Sequence, residues 1–227
     1  MDDLAFVFIE TVAKLRPKVV VMENVEGLTK GEAWQYVQRI YAEFKRIGYT
    51  VRHVLLKGEQ MGIPQMRHRV FFIATRLGFD LAKIDLSFNY APIPFSVVMS
   101  KEGIPLPKDG TIERLANALQ YGDRGLDDSC KRLSGKGSFF NYRVVYDNAV
   151  CPTMPAKNFL VRWNGKTFLS KQDIVNISTF PQDYQFLKDG YTNVSYVCGM
   201  SVPPIMIKRI ATRLIESKIF ENETRTI

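Results

Sequence analysis

Leu4, Phe8, Ile9, Val12 and Leu15 recur at helical spacing and Pro17 closes the segment, which predicts an amphipathic helix over Leu4 to Leu15. Val19 to Met22 then form a continuous apolar run, the pattern of a strand covered on both faces as in a parallel sheet. A second helix is predicted over Trp34 to Ile47, stopped by Gly48, and Tyr49 to Leu56 alternates apolar and polar residues as a half-buried strand does. Beyond a loop holding Gly62 and Pro64, "VFFIAT" from Val70 to Thr75 predicts another strand. Helix, strand, helix, strand, strand is the order of an α/β sheet with helices packed on its faces.

The pattern changes after Phe79. The stretch Ala91 to Gly110 is rich in Pro and Gly, and Tyr121 to Arg143 mixes glycines, basic residues and aromatics without a helical period, so an irregular insert or small second domain is expected. Regular structure is expected to return at "KTFLSKQDIVNISTFPQDY", where Ser170 and Asp173 have the spacing of a capping box. A last helix should follow "GMSVPP" with Ile207, Ile210, Ala211 and Leu214 on one face. The organisation predicted is residues 1–78 as part of an α/β domain, 79–157 as the insert, and 158–227 as a return segment with the final helix.

Composition sharpens this only a little. The chain has 227 residues, 46% of them hydrophobic, enough for a sizeable core. Its 31 Lys and Arg exceed 23 Asp and Glu, giving the positive field of a protein that meets phosphates. Cys130, Cys151 and Cys198 are odd in number and form no CxxC pair, which points away from zinc and disulfides and toward a reducing cytoplasm. No run approaches a membrane span, and no membrane partner is expected.

Four blocks carry chemistry: "ENV" at Glu23 to Val25, "GIPQMRHRVFFIA" at Gly62 to Ala74, "CPTMPAKN" with the segment after it, and "GMSVPP" at Gly199 to Pro204. A carboxyl at a strand end can hold a base edge and donate a proton if burial raises its pKa. Two arginines two residues apart, Arg67 and Arg69, share a face if the segment is extended. A planar guanidinium suits a carbonyl oxygen and a flanking phosphate better than an ammonium does.

In their order, these blocks resemble the C-terminal two-thirds of a DNA (cytosine-5)-methyltransferase. The resemblance implies a partial Rossmann-like sheet that uses S-adenosylmethionine, with an irregular target-recognition region, acting on a cytosine flipped from duplex DNA. It implies an activity of the kind found in restriction-modification systems. It also implies that Glu23 and Arg69 hold the cytosine, that Arg67 and Gln65 brace the loop, and that Asn24 ties the backbone. Thr153 with Met154 resembles the Thr-Leu pair at the end of the family's recognition region. Gly199, Met200, Ser201 and Val202 resemble the block that closes the cofactor pocket. Met200 departs from the family, where an asparagine is usual, and a thioether cannot supply an amide's two-sided hydrogen bonding.

The family's glycine loop and Pro-Cys nucleophile precede its Glu-Asn-Val block, which here begins at Glu23, and none of the three cysteines follows a proline. The expectation is an exposed apolar face and sheet edge. Three readings stay open: a split enzyme whose nucleophile lies on a separate polypeptide, an inactive truncated remnant, or a DNA-binding module without catalysis.

Overall fold

A computed structural model describes residues 3–157 and 159–221; Asn158, which ends one of the quoted blocks, lies outside the described residues. The chain forms two compact units interleaved in sequence: 1–57, 68–88 and 208–227 make the first, and 58–67 with 89–207 make the second.

The first unit contains α1 (Leu4–Leu15), β1 (Val19–Val25), α2 (Trp34–Arg46), β2 (Thr50–Lys57) and β3 (His68–Thr75). α1 stops where Arg16 turns left-handed (φ 50°), and Pro17 prevents continuation. The sheet order is β1-β3-β2. Both pairings of β3 are antiparallel, with Val19 opposite Thr75 and Thr50 also opposite Thr75. The parallel neighbour expected for Val19 to Met22 is therefore corrected among the described residues. An apolar run reports covered faces and says nothing of the direction of the next strand. The fully buried run is Val70 to Thr75 in the central strand, whereas β1 alternates between buried Val20 and Met22 and half-buried Val19 and Val21. Ile9 and Val12 of α1 and Val37, Ile40 and Phe44 of α2 pack on Val20, Met22, Val70 and Phe72. β1 lies at the edge of this sheet, and Leu4, Val7 and Leu15 of α1 are exposed.

The second unit holds β4 (Ile104–Pro105), α3 (Thr111–Asn117), α4 (Leu126–Ser134), β5 (Arg143–Val145), β6 (Leu160–Arg162), β7 (Thr167–Phe168), α5 (Lys171–Ile177) and α6 (Tyr191–Met200). Its small sheet runs β4-β7-β6-β5, with β5 and β6 parallel and the other pairs antiparallel. The stretch Tyr121 to Arg143, read as lacking helical period, contains α4. Local charge holds this short helix: the Asp128 carboxylate accepts from the backbone N–H of Arg124 (2.7 Å) and Gly125 (3.3 Å), and Asp127 pairs with Lys131 (2.6 Å). At α5 the expected box forms, with Ser170 Oγ accepting from Asp173 N–H (3.0 Å) and Asp173 accepting from Ser170 N–H (2.7 Å).

α7 (Pro204–Glu216) begins in the second unit and runs into the first. Its buried residues are Met206, Ile210 and Leu214, four apart, while Ile207 and Ala211 are exposed. The buried face is thus rotated from the expected one, taking in Met206 and leaving out Ile207 and Ala211.

Candidate active site

Glu23 stands near the end of β1, opposite Phe71, and Arg69 stands near the start of β3, opposite Val25. This register makes Glu23 and Arg69 diagonal neighbours on one face of the sheet. Arg69 Nε meets Glu23 Oε1 at 2.6 Å, and Arg69 Nη1 donates to the carbonyl of His68 at 2.8 Å. The side chains retain 30% (Glu23) and 15% (Arg69) of their exposure, so a third group can still reach both. The arrangement offers a carboxyl and a guanidinium side by side, an acceptor or proton donor next to a fixed cation. Asn24 Oδ1 accepts from the N–H of Val25 (2.8 Å), which fixes the backbone where the strand turns away.

A second charge group adjoins the strand end. Glu26 lies 2.7 Å from Lys30 Nζ and 3.4 Å from His68 Nδ1. The Lys30 hydrogen bond holds the Glu26 carboxyl below its ordinary range, with His68 adding to the effect. The pairing of His68 with Glu26 depends on a turn that no short motif announces. His53 packs among Trp34, Tyr41 and Phe72, and burial pushes its pKa down.

In the second unit, Gln65 and Arg67 are buried. Gln65 accepts from Met154 N–H (3.3 Å) and donates to the carbonyl of Ile177 (3.4 Å). Arg67 donates from Nη1 to the carbonyl of Met154 (3.2 Å) and from Nη2 to that of Gly199 (2.9 Å). At 1% exposure Arg67 spends its guanidinium on these two carbonyls, an arrangement suited to the bracing role expected of it and not to direct contact with a substrate. Thr153 Oγ1 donates to the carbonyl of Met66. Gln65, Arg67, Met154 and Gly199 are thereby drawn together around one buried junction, with exposed Thr153 outside it.

Gly199 allows this junction to close: a Cβ there would come within 2.2 Å of the Pro155 carbonyl oxygen. Ser201 Oγ donates to the carbonyl of Val197 (2.6 Å), and Met200 is exposed.

The chain matches the description "C-5 cytosine-specific DNA methylase" over residues 1–129. It belongs to the C-5 cytosine-specific DNA methylase family. The type II methyltransferase M.DdeI of Desulfomicrobium norvegicum is 43% identical over 279 residues, covering 95% of this chain and 66% of that protein. M.AplI of Arthrospira platensis is 22% identical over 219 residues, covering 90% of this chain and 59% of that protein. The chain thus spans about three-fifths of the length of such curated relatives. In fold it is similar to the Entamoeba histolytica methyltransferase EhMeth, with a TM-score of 0.64 at 14% identity, covering 99% of this chain and 71% of that one. At that identity the likeness concerns the α/β architecture alone.

For a C-5 methylase the nucleophile and the cofactor are the remaining questions. Cys151 is fully buried, and burial pushes its thiol far up. Burial also pushes Cys198 up, from the ordinary 9.0 to about 11, against weaker pulls from Ser178 and Arg67. Neither thiol is poised as a thiolate near neutral pH. Within Gly199 to Val202 the Gly199 carbonyl accepts from Arg67 and the Ser201 hydroxyl donates to Val197, each keeping acceptor capacity, while the exposed Met200 side chain offers no hydrogen-bond donor where the family has an amide. Among the described residues no helix is long and apolar enough to cross a membrane.

Proposed function

We propose that this chain is the cytosine-holding and target-recognition part of a DNA cytosine C5 methyltransferase of the restriction-modification kind, with S-adenosylmethionine as methyl donor. The observation that carries the reading is the Glu23–Arg69 pair on one sheet face. Attack on cytosine at carbon 6 pushes negative charge toward the ring nitrogen and carbonyl. Glu23 hydrogen-bonds the ring N3 and exocyclic amine, and in its protonated form donates to N3 as charge builds. Arg69 takes the carbonyl oxygen and is held for it by Glu23 and the His68 carbonyl. Asn24 keeps the strand end in register. Gln65 and Arg67 brace the segment that leads into β3.

The nucleophile is assigned to a separate polypeptide carrying the glycine loop and Pro-Cys, because none of the three cysteines follows a proline and Cys151 and Cys198 are buried. Duplex DNA is the substrate, read by the second unit, and the cytoplasm is the expected location. The same lack of a Pro-Cys favours, as a second reading, a DNA-binding module without chemistry of its own. Methyl transfer from labelled S-adenosylmethionine to mixed-sequence duplex DNA separates the two. The split enzyme predicts no transfer by the chain alone and transfer once it is mixed with a polypeptide encoded immediately upstream. Transfer by the chain alone would overturn the assignment of the nucleophile, while binding without transfer in either sample would favour the module.

A further inference from the structure

The segment leaving α4 is built in an unusual way. Gly135 takes the left-handed conformation that ends the helix (φ 71°), its N–H donating to the carbonyl of Lys131 at 2.9 Å. Four residues later Phe139, a bulky aromatic, is also left-handed (φ 62°), a conformation such residues seldom adopt. The consequence is that two successive phenylalanines part company. Phe139 packs on Tyr142, ring centroids 5.9 Å apart, and its carbonyl accepts the Tyr142 N–H at 2.9 Å. Phe140 is turned out to solvent with 67% of its surface exposed.

The segment is tightly folded at its base. A Cβ on Gly137 would lie 2.6 Å from Asp127 Oδ1, 2.8 Å from Lys131 Cε and 3.3 Å from Phe140 Cε1, so the loop rests directly on α4 and the ring leans on it. Basic residues predominate along the segment itself, while the Asp127 carboxylate lies beneath it. No carboxylate occurs between Ser129 and Tyr146. Lys131 and Arg132 are neutralised by Asp127 and Asp123, whereas Lys136 and Arg143 are exposed and make no ion pair among the described residues.

An exposed aromatic ring with two unneutralised cations within four residues of it in the chain complements a partner that combines phosphates with flat π-surfaces. We infer that Phe140 is a stacking contact to duplex DNA, its ring packing on a base at an opened step while Lys136 and Arg143 meet the flanking phosphates. This rests on the reading that the chain binds DNA, and it adds the particular side chain that gains affinity from the bases rather than from the backbone. The strained Phe139 is what aims it.

The test is titration of a fluorescein-labelled, mixed-sequence duplex with the full chain across a range of salt. The wild type is compared with Phe140→Ala, Phe140→Tyr and Lys136→Ala. Phe140→Ala should weaken binding about 10-fold with an unchanged salt slope, Phe140→Tyr should bind nearly as the wild type, and Lys136→Ala should lower the salt slope by about one. Because Phe140 is exposed, the thermal midpoint should not move. Salt-dependent binding by the wild type with equal affinity for Phe140→Ala would overturn this inference and leave the DNA reading intact. No salt-dependent binding by the wild type would overturn the DNA reading, and this inference with it.

Discussion

Arg69 reaches across the sheet to Glu23, while Arg67, two residues earlier, ends on the carbonyls of Met154 and Gly199. The same side chain thus has two uses, set by burial. Replacing Arg67 with Met would strand two buried carbonyls, and the expected loss is about 3 kcal/mol in urea unfolding, with a fall in thermal midpoint. Full stability in that variant would show that the junction does not depend on the guanidinium. The cysteines give a second check at this scale. Cys198 titrates near 11 in the fold against the ordinary 9.0, so its burial contributes stability that is fully present below pH 9 and is lost as pH rises toward 11. A thiol reagent at neutral pH should modify half-buried Cys130 readily and reach Cys151 and Cys198 only on unfolding. Rapid labelling of all three in the native protein would contradict the burial described.

Among the elements, α5 shows how much a capping residue can carry. Asp173 is fully buried, takes N–H groups of Ser100 and Ser170 at 2.7 Å each, and pairs with Arg162. Asp173→Asn leaves Arg162 without its counter-charge and should cost about 3–5 kcal/mol. Asp189→Asn, which breaks the exposed pair with Lys171, should cost no more than about 1 kcal/mol. Comparable losses in urea titrations of the two variants would refute this ranking. The Ser170 and Asp173 spacing was legible in the sequence because a cap is a local device. So were α1, α2 and the buried run of β3, whose periods are long and clean. α4 and α6 were not: α4 is short and held by charge, and α6 mixes Gly199 and Ser195 into a weak apolar period. The direction of β1 was not legible either, because the loop holding Gly62 and Pro64 decides which way β3 returns. The ordered blocks pointed to Glu23 and Arg69, but only the register of β1 on β3 shows that their side chains meet. Nothing in the sequence distinguished Phe140 from Phe139, since the difference lies in one backbone angle.

On the scale of the molecule, the first unit exposes Leu4, Val7 and Leu15 along α1 and leaves β1 at a sheet edge, a surface that invites association. Val7→Lys with Leu15→Lys should reduce self-association of the isolated chain in light scattering and, on the split-enzyme reading, impair reconstitution with its partner. Unchanged behaviour in both would remove that surface from the account. The excess of eight positive charges suits a partner that carries phosphates, and on the function proposed above the Glu23–Arg69 pair is where chemistry enters. The most direct test is Glu23→Gln in the reconstituted enzyme, with methyl transfer and duplex binding measured on the same samples. The account predicts that transfer falls about 100-fold or more while DNA affinity stays within about threefold. Equal losses in transfer and binding, or no loss of transfer, would contradict it.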